Sequence, residues 1–107
     1  MMRVNFTKRA SDAARSLQPK PARQITARIA RLRVDAYPQD CKKLHASGFL
    51  RVDSGEYRIV YRVSNEPNPQ TDQDEMVLNF EAIDKRNMIR YAEGLGRGNS
   101  RITQEAS

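Results

Sequence analysis

Residues 49–63, FLRVDSGEYRIVYRV, constrain the fold more than any other part of the sequence. Apolar and charged residues alternate on both sides of Ser54-Gly55, which predicts two strands joined by a tight turn with Gly55 at positive φ. Because side chains alternate across a sheet, one face of the hairpin is apolar and the other is charged. The apolar face comprises Leu50, Val52, Tyr57, Ile59 and Tyr61. The charged face comprises Arg51, Asp53, Glu56, Arg58 and Arg62.

A turn at Ser54-Gly55 places Arg51 directly opposite Arg58. Like charges in directly opposed positions destabilise a strand pair by up to about 1 kcal/mol. The two guanidiniums therefore either bind an anion or are neutralised by diagonal contacts, from Arg51 to Glu56 and from Arg58 to Asp53. The neutralised, solvated face is the slightly commoner arrangement, and the sequence leaves both open.

The length of 107 residues suits a single small domain with one hydrophobic core. The lone Cys41 cannot form an internal disulfide, which favours a reducing compartment. The sequence has no secretory signal and no apolar run of membrane-spanning length. These features predict a cytoplasmic protein with no membrane partner.

The formal net charge of +6 suits a polyanionic partner such as nucleic acid, the ribosome or an acidic protein. The charge is unevenly distributed, because residues 64–82 contain five acidic residues and no Lys or Arg. The positive charge is therefore expected on the N-terminal third, the hairpin and the segment after Ile83.

Two helices are predicted before the hairpin. After a short strand over residues 3–7, small apolar residues at helical spacing predict a helix over about residues 8–17. The clearer second helix has Pro21 in its first turn, where proline is tolerated, and an apolar stripe at helical spacing. Pro38 is expected to end it, because proline disfavours helical geometry at the preceding residue.

The remaining elements complete an α+β architecture. Residues 41–48 are predicted to be a connector, residues 64–75 an exposed loop and residues 76–83 the last strand. The fold class is thus two N-terminal helices packed on one face of a small, mainly antiparallel four-stranded sheet. Residues 1–93 are expected to form one domain and residues 94–107, rich in Gly and polar residues, a flexible C-terminal tail.

Four segments together resemble the RelE/ParE toxin superfamily of bacterial toxin–antitoxin systems. They are VNFTKRA, AYPQDCKKLHASG, RVDSGEYRIVYRV and IDKRN, and the resemblance covers roughly residues 3–91. The resemblance implies a compact sheet with two N-terminal helices and a cognate antitoxin protein as partner, in a toxin–antitoxin hetero-oligomer. RelE-like members cleave mRNA in the ribosomal A site without a metal, whereas ParE-like members inhibit DNA gyrase and lack nuclease chemistry.

The RelE-type pattern implies basic residues on the first hairpin strand, after the turn and after the last strand. Arg51, Arg58 and Arg86 match these positions, and Tyr91 is the nearest match to a tyrosine near the C-terminus, at slightly shorter spacing. Arginine suits phosphate binding but keeps its proton, since its pKa is roughly 12 or more. Tyr91 and Lys85 are therefore the candidates for proton transfer.

Other polar residues are weaker candidates. Lys42, Lys43 and Arg62 are expected to contact RNA. His45 has a suitable intrinsic pKa and Glu81 shares the parity of the charged face, yet a structural role is the commoner one for both. The sequence contains no metal-ligand cluster and no glycine-rich phosphate loop, and no cofactor is expected.

The combined expectation is a metal-independent, ribosome-dependent mRNA endoribonuclease, with the ribosome and mRNA as partners. Asp53 departs from the RelE-type pattern, in which a second basic residue often occupies the first strand. This acidic residue favours the alternatives, which are a ParE-like gyrase inhibitor and a degenerate toxin that keeps only antitoxin binding. A general nucleic-acid-binding module is less consistent, because no aromatic stacking platform is evident.

Overall fold

The computed structural model of the protein describes residues 2–44 and 47–86, which contain two helices and five strands. In chain order these are β1 (Arg3–Phe6), α1 (Lys8–Arg15), α2 (Pro19–Leu32), β2 (Lys42–Lys43), β3 (Leu50–Ser54), β4 (Tyr57–Asn68) and β5 (Gln73–Lys85). The segments predicted after residue 86, including the tail over residues 94–107, lie outside the described residues.

Both helices begin with a recognisable N-terminal signal. The hydroxyl of Thr7 accepts a hydrogen bond from the backbone N–H of Ala10 at 3.0 Å and so caps α1. α2 has proline in its first turn, as predicted, but it begins at Pro19 and ends at Leu32, well before Pro38. The prediction that Pro38 ends this helix is therefore wrong. Neither α1 nor α2, the helices of the described part of the chain, has the length and apolarity to cross a membrane.

The sheet has the strand order β1-β5-β4-β3-β2. β1 runs parallel to β5, and all other neighbours are antiparallel. The α+β class with two N-terminal helices on a mainly antiparallel sheet is confirmed. The strand count is corrected from four to five, because Lys42–Lys43, expected in a connector, pairs with β3 as an edge strand.

The predicted hairpin forms with a shifted register. Ser54 pairs with Tyr57, so the turn residues are Gly55 and Glu56, and Gly55 has the expected positive φ of 59°. Arg58 therefore lies opposite Asp53 and not opposite Arg51. The apolar face is nevertheless as predicted, because moving the pairing by two residues leaves every side chain on its original face.

The segment predicted as an exposed loop, residues 64–75, is mostly strand. β4 continues to Asn68 and β5 begins at Gln73, with a short turn between them that includes Asp72 at φ 59°. Glu66 and Glu75 lie opposite each other in this extension. Arg3 contacts both carboxylates, at 3.6 Å and 3.3 Å, and so offsets the repulsion that would otherwise separate the strands.

The main core lies between the two helices and one sheet face. Its buried residues come from both helices and from the three central strands, and they are Ala10, Ile25, Leu32, Ala36, Leu50, Val52, Ile59, Tyr61, Leu78, Phe80 and Ile83. A smaller cluster on the opposite sheet face contains Val60 and Ala82, with Leu44 and Phe49 packed against it. Each face of the sheet therefore has its own apolar cluster. The helices cover the larger cluster, and the smaller one shares its face with the charged hairpin residues.

Tyr61 is fully buried, and its hydroxyl donates a 2.7 Å hydrogen bond to the carbonyl of Ala36. Burial raises the pKa of the Tyr61 hydroxyl well above its usual value. The bond fixes the segment between α2 and β2 against the sheet, which explains why Ala36 is buried although it lies beyond the end of the helix.

Substitution of Tyr61 by Phe is expected to lower the free energy of unfolding by about 1–3 kcal/mol, because it leaves the buried Ala36 carbonyl without its donor. Chemical denaturation at neutral pH measures this loss. Tyr37→Phe is the matched control, since the Tyr37 side chain is exposed, and it should change stability by less than about 0.5 kcal/mol. Equal losses in both variants would contradict the assignment.

Candidate functional site

A row of charged residues crosses the sheet face opposite the helices. Arg58 on β4 lies between Asp53 on β3 and Asp84 on β5, with both acids as its register partners. The Arg58 side chain is only 8% exposed, and its Nε donates a 3.0 Å hydrogen bond to Asp53 Oδ1. The Arg58–Asp53 contact that the sequence suggested along a diagonal is therefore a directly opposed pair.

Arg86 joins this row from the end of β5. Its Nε lies 3.5 Å from Asp53 Oδ2, and its backbone N–H donates a 2.9 Å hydrogen bond to the carbonyl of Glu56 in the β3–β4 turn. The backbone bond ties the end of β5 to the turn, so Arg86 reaches Asp53 from a defined position. The carboxylate of Asp53 thus contacts two guanidiniums, one through each oxygen.

Asp84, the other acid in the row, has a separate cation. Arg9 of α1 forms an ion pair with the Asp84 carboxylate, and 75 positions separate these two residues in the sequence. The charge of Asp84 is therefore offset locally. No pattern in the sequence connected Arg9 with Asp84, because only the packing of α1 against β5 brings them together.

Arg51 lies in the neighbouring row of the same face. Its register partners are Lys42 on β2 and Val60 on β4, so the predicted direct opposition of Arg51 and Arg58 is wrong. The two arginines are diagonal neighbours, a spacing that long side chains span. Arg51 Nε is buried, and it has no hydrogen-bond partner among residues 2–44 and 47–86.

We refer to Arg51, Arg58 and Arg86 as the arginine cluster. Among residues 2–44 and 47–86, Asp53 contacts two of these arginines, Arg58 and Arg86, while Asp84 is paired with Arg9 of α1. Guanidinium groups match phosphate oxygens in geometry and carry a permanent charge. The arrangement can therefore bind the phosphate groups of a polyanion and stabilise negative charge that develops on them.

The other predicted site residues lie at varying positions. Lys42 is opposite Arg51 and shares its face, whereas Lys43 is opposite Leu50, whose side chain belongs to the helix-covered face. Lys85 is exposed at the end of β5 and opposite Tyr57. Arg62 is exposed further along β4.

Three further candidates contribute less to the described site. Tyr91 and His45 lie outside the described residues. Glu81 lies at the irregularity where β4 and β5 shift register, and its backbone carbonyl accepts a 2.8 Å hydrogen bond from the Thr7 hydroxyl. The backbone of Glu81 thus helps to anchor the start of α1.

No family model matches the sequence, and no curated protein sequence matches it either. Several solved structures, however, are similar to this chain. The chain is similar to the isolated RelE toxin of Escherichia coli, with a TM-score of 0.62 and 17% identity over 92% of this chain and 100% of that one.

Two archaeal complexes contain similar chains. The RelE–RelB complex of Pyrococcus horikoshii matches with a TM-score of 0.58 and 23% identity, covering 79% of this chain and 94% of that chain. The RelB–RelE complex of Methanococcus jannaschii matches with a TM-score of 0.56 and 17% identity, over 81% and 95% of the two chains. The chain therefore has the RelE toxin fold.

Proposed function

We propose that this protein is the toxin of a type II toxin–antitoxin system and that it cleaves mRNA on the ribosome. The observation that carries the proposal is the arginine cluster, which lies on the sheet face opposite the helices of a RelE-type fold. A small basic domain with two guanidiniums on one carboxylate, and a third in the neighbouring row of the same face, is suited to a single, well-positioned phosphate.

The proposed reaction uses the ribose 2′-hydroxyl as nucleophile. That hydroxyl loses a proton, its oxygen forms a bond to phosphorus, and the bond from phosphorus to the 5′-oxygen breaks as this oxygen takes up a proton. Arg51, Arg58 and Arg86 stabilise the negative charge on the five-coordinate phosphorus. Lys85 and Tyr91 are the residues proposed to move the protons.

Free lysine and tyrosine side chains transfer protons poorly at neutral pH, because their pKa values are about 10. An enzyme with such groups depends strongly on the orientation of its substrate, which can contribute about 7–11 kcal/mol toward a barrier. A ribosome that holds the mRNA in place would supply that orientation. This dependence supports a ribosome-bound substrate over free RNA.

The proposed partner is a cognate antitoxin protein. Similar chains occur in complexes whose second component is RelB. An acidic or amphipathic segment of the antitoxin could neutralise the arginine cluster or pack along the helices, forming a toxin–antitoxin hetero-oligomer in the cytoplasm.

The substitution Arg86→Ala tests the proposal. It removes an arginine whose side chain is 45% exposed, so the fold should persist while mRNA cleavage falls roughly 100-fold. The measurement is induction in growing bacteria followed by mapping of mRNA 5′ ends. Arg23→Ala is the matched control, because Arg23 is an exposed arginine on α2 and lies on the opposite side of the sheet.

Each outcome points to one function. New 5′ ends at a fixed codon phase, lost in Arg86→Ala and kept in Arg23→Ala, support the nuclease. Undiminished cleavage by Arg86→Ala removes the arginine cluster from the proposal. Growth arrest with intact mRNA and a DNA-damage response indicates a gyrase inhibitor, and the absence of any arrest indicates a degenerate toxin.

A further inference from the structure

Asp53 holds two arginines of the cluster at once. Its Oδ1 accepts from Arg58 Nε at 3.0 Å, and its Oδ2 lies 3.5 Å from Arg86 Nε. A carboxylate close to a phosphate-binding site would ordinarily weaken phosphate binding by repulsion. The position of this acid therefore requires an explanation that the net charge of the site does not provide.

The geometry of the contacts suggests one. A carboxylate can bind an arginine at Nε while the two terminal nitrogens remain available to a second acceptor, because the guanidinium carries five donors in a planar fork. Asp53 approaches Arg86 at Nε. A contact at Nε uses one of the five donors of a guanidinium, so the group keeps further donors for a ligand.

The backbone around Asp53 holds the carboxylate in place. Asp53 is the register partner of Arg58 within the paired strands β3 and β4, and the Arg86 N–H is bonded to Glu56 in the turn that joins those strands. Three separate points of the chain are therefore fixed relative to one another by backbone pairing. Both guanidiniums are held by the same side chain, that of Asp53.

We propose that Asp53 is a positioning residue for phosphate binding, which orients Arg58 and Arg86 toward the scissile phosphate. This inference rests on the proposed nuclease function and adds a role for a residue that the RelE-type pattern does not include. The competing role is simple repulsion, in which Asp53 only lowers the affinity for RNA. The two roles predict different effects of removing the charge on kcat.

The substitution Asp53→Asn removes the charge and preserves the shape of the side chain. If Asp53 positions the arginines, kcat for cleavage of ribosome-bound mRNA should fall roughly 10- to 100-fold, while KM stays equal or decreases. If Asp53 only repels RNA, kcat should be unchanged and KM should decrease. Asp74→Asn is the control, because Asp74 is an exposed acid on the β4–β5 extension and makes the same charge change.

A second measurement does not depend on activity. NMR of the arginine Nε–H groups in the full-length protein should give ordered, slowly exchanging signals for Arg58 and Arg86, and Asp53→Asn should weaken the order of both. Unchanged signals in Asp53→Asn would overturn the positioning role. If the wild-type protein cleaves no mRNA, the proposed function fails, whereas the NMR result still decides whether Asp53 orients the arginines.

Discussion

Replacement of Arg58 by Ala is expected to lower the rate of mRNA cleavage on the ribosome by about 100- to 1000-fold. Arg58 is the buried member of the arginine cluster, with a side chain only 8% exposed. Water screens a buried charge less than an exposed one, so its interaction with a developing phosphorane charge is stronger. The measurement is single-turnover cleavage with programmed ribosomes and purified toxin.

Arg58→Lys is the conservative comparison. A lysine keeps the positive charge opposite Asp53 but supplies an ammonium in place of the planar fork, so it cannot bind carboxylate and phosphate in the same plane. We expect Arg58→Lys to retain the fold and to cleave mRNA slowly, between Arg58→Ala and the wild type. Wild-type rates in Arg58→Lys would indicate that charge alone matters, and wild-type rates in Arg58→Ala would exclude Arg58 from the reaction.

Loss of folding must be separated from loss of chemistry in these variants. Removal of Arg58 leaves Asp53 with Arg86 as its cation, and the Asp53 side chain is 42% exposed, so water screens the remaining charge. We therefore expect a modest loss of stability in Arg58→Ala. Thermal unfolding of each variant, measured in the buffer of the cleavage assay, shows whether the protein is folded when its activity is tested.

The faces of the hairpin could be predicted from the sequence, but its register could not. Strand periodicity assigns Leu50 and Ile59 to the core whichever of two neighbouring turns forms. Gly55 belongs to both candidate turns, so its presence alone does not choose between them. The space around it is set by another part of the chain, since a Cβ on Gly55 would lie 2.7 Å from the side-chain oxygen of Gln24 on α2. A contact of this kind between distant parts of the chain leaves no local pattern.

The elements that sequence analysis missed share one property, which is polar composition. Lys42–Lys43 has no apolar periodicity, and it forms a strand because its backbone pairs with the edge of β3. Pro67 lies in the β4 extension, where β5 is the one described strand paired with β4. The missing N–H of Pro67 therefore breaks no pairing with a second described strand. In both places the neighbouring strand, and not intrinsic propensity, determines the structure.

The residues of the candidate site could be proposed from the sequence, but the contacts of Asp53 could not. The sequence and the family resemblance together single out Arg51, Arg58 and Arg86. In the structure Arg58 and Arg86 contact Asp53, and Arg51 lies in the neighbouring row of the same face. From the sequence alone, Asp53 is interpreted as a charge unfavourable for phosphate binding. Its contacts with two arginines depend on the register and on the backbone bond from Arg86 to Glu56, neither of which is visible in the sequence.

Replacement of Phe80 by Ala is expected to lower the free energy of unfolding by about 3–5 kcal/mol. Phe80 is fully buried on β5, and its ring lies 5.1 Å from that of Phe6 and 6.1 Å from that of Tyr61, measured between centroids. Truncation removes both ring contacts and leaves a cavity in the core. Since small domains are stable by only about 5–15 kcal/mol, this single change should bring the protein close to unfolding.

Phe6→Ala makes the same chemical change on the edge strand β1, where the ring is 40% exposed. It loses one ring contact and less buried area than Phe80, so its loss of stability should be less than half that of Phe80→Ala. Urea denaturation of both variants measures the difference. The strand β5 also carries Asp84 and ends beside Arg86, so unfolding of β5 would disrupt the candidate site. Phe80→Ala should therefore lose cleavage in proportion to the fraction of unfolded protein. Arg58→Ala, by contrast, should lose cleavage while the protein is still folded. Similar stabilities for the two phenylalanine variants would contradict the assignment of Phe80 to the centre of the core.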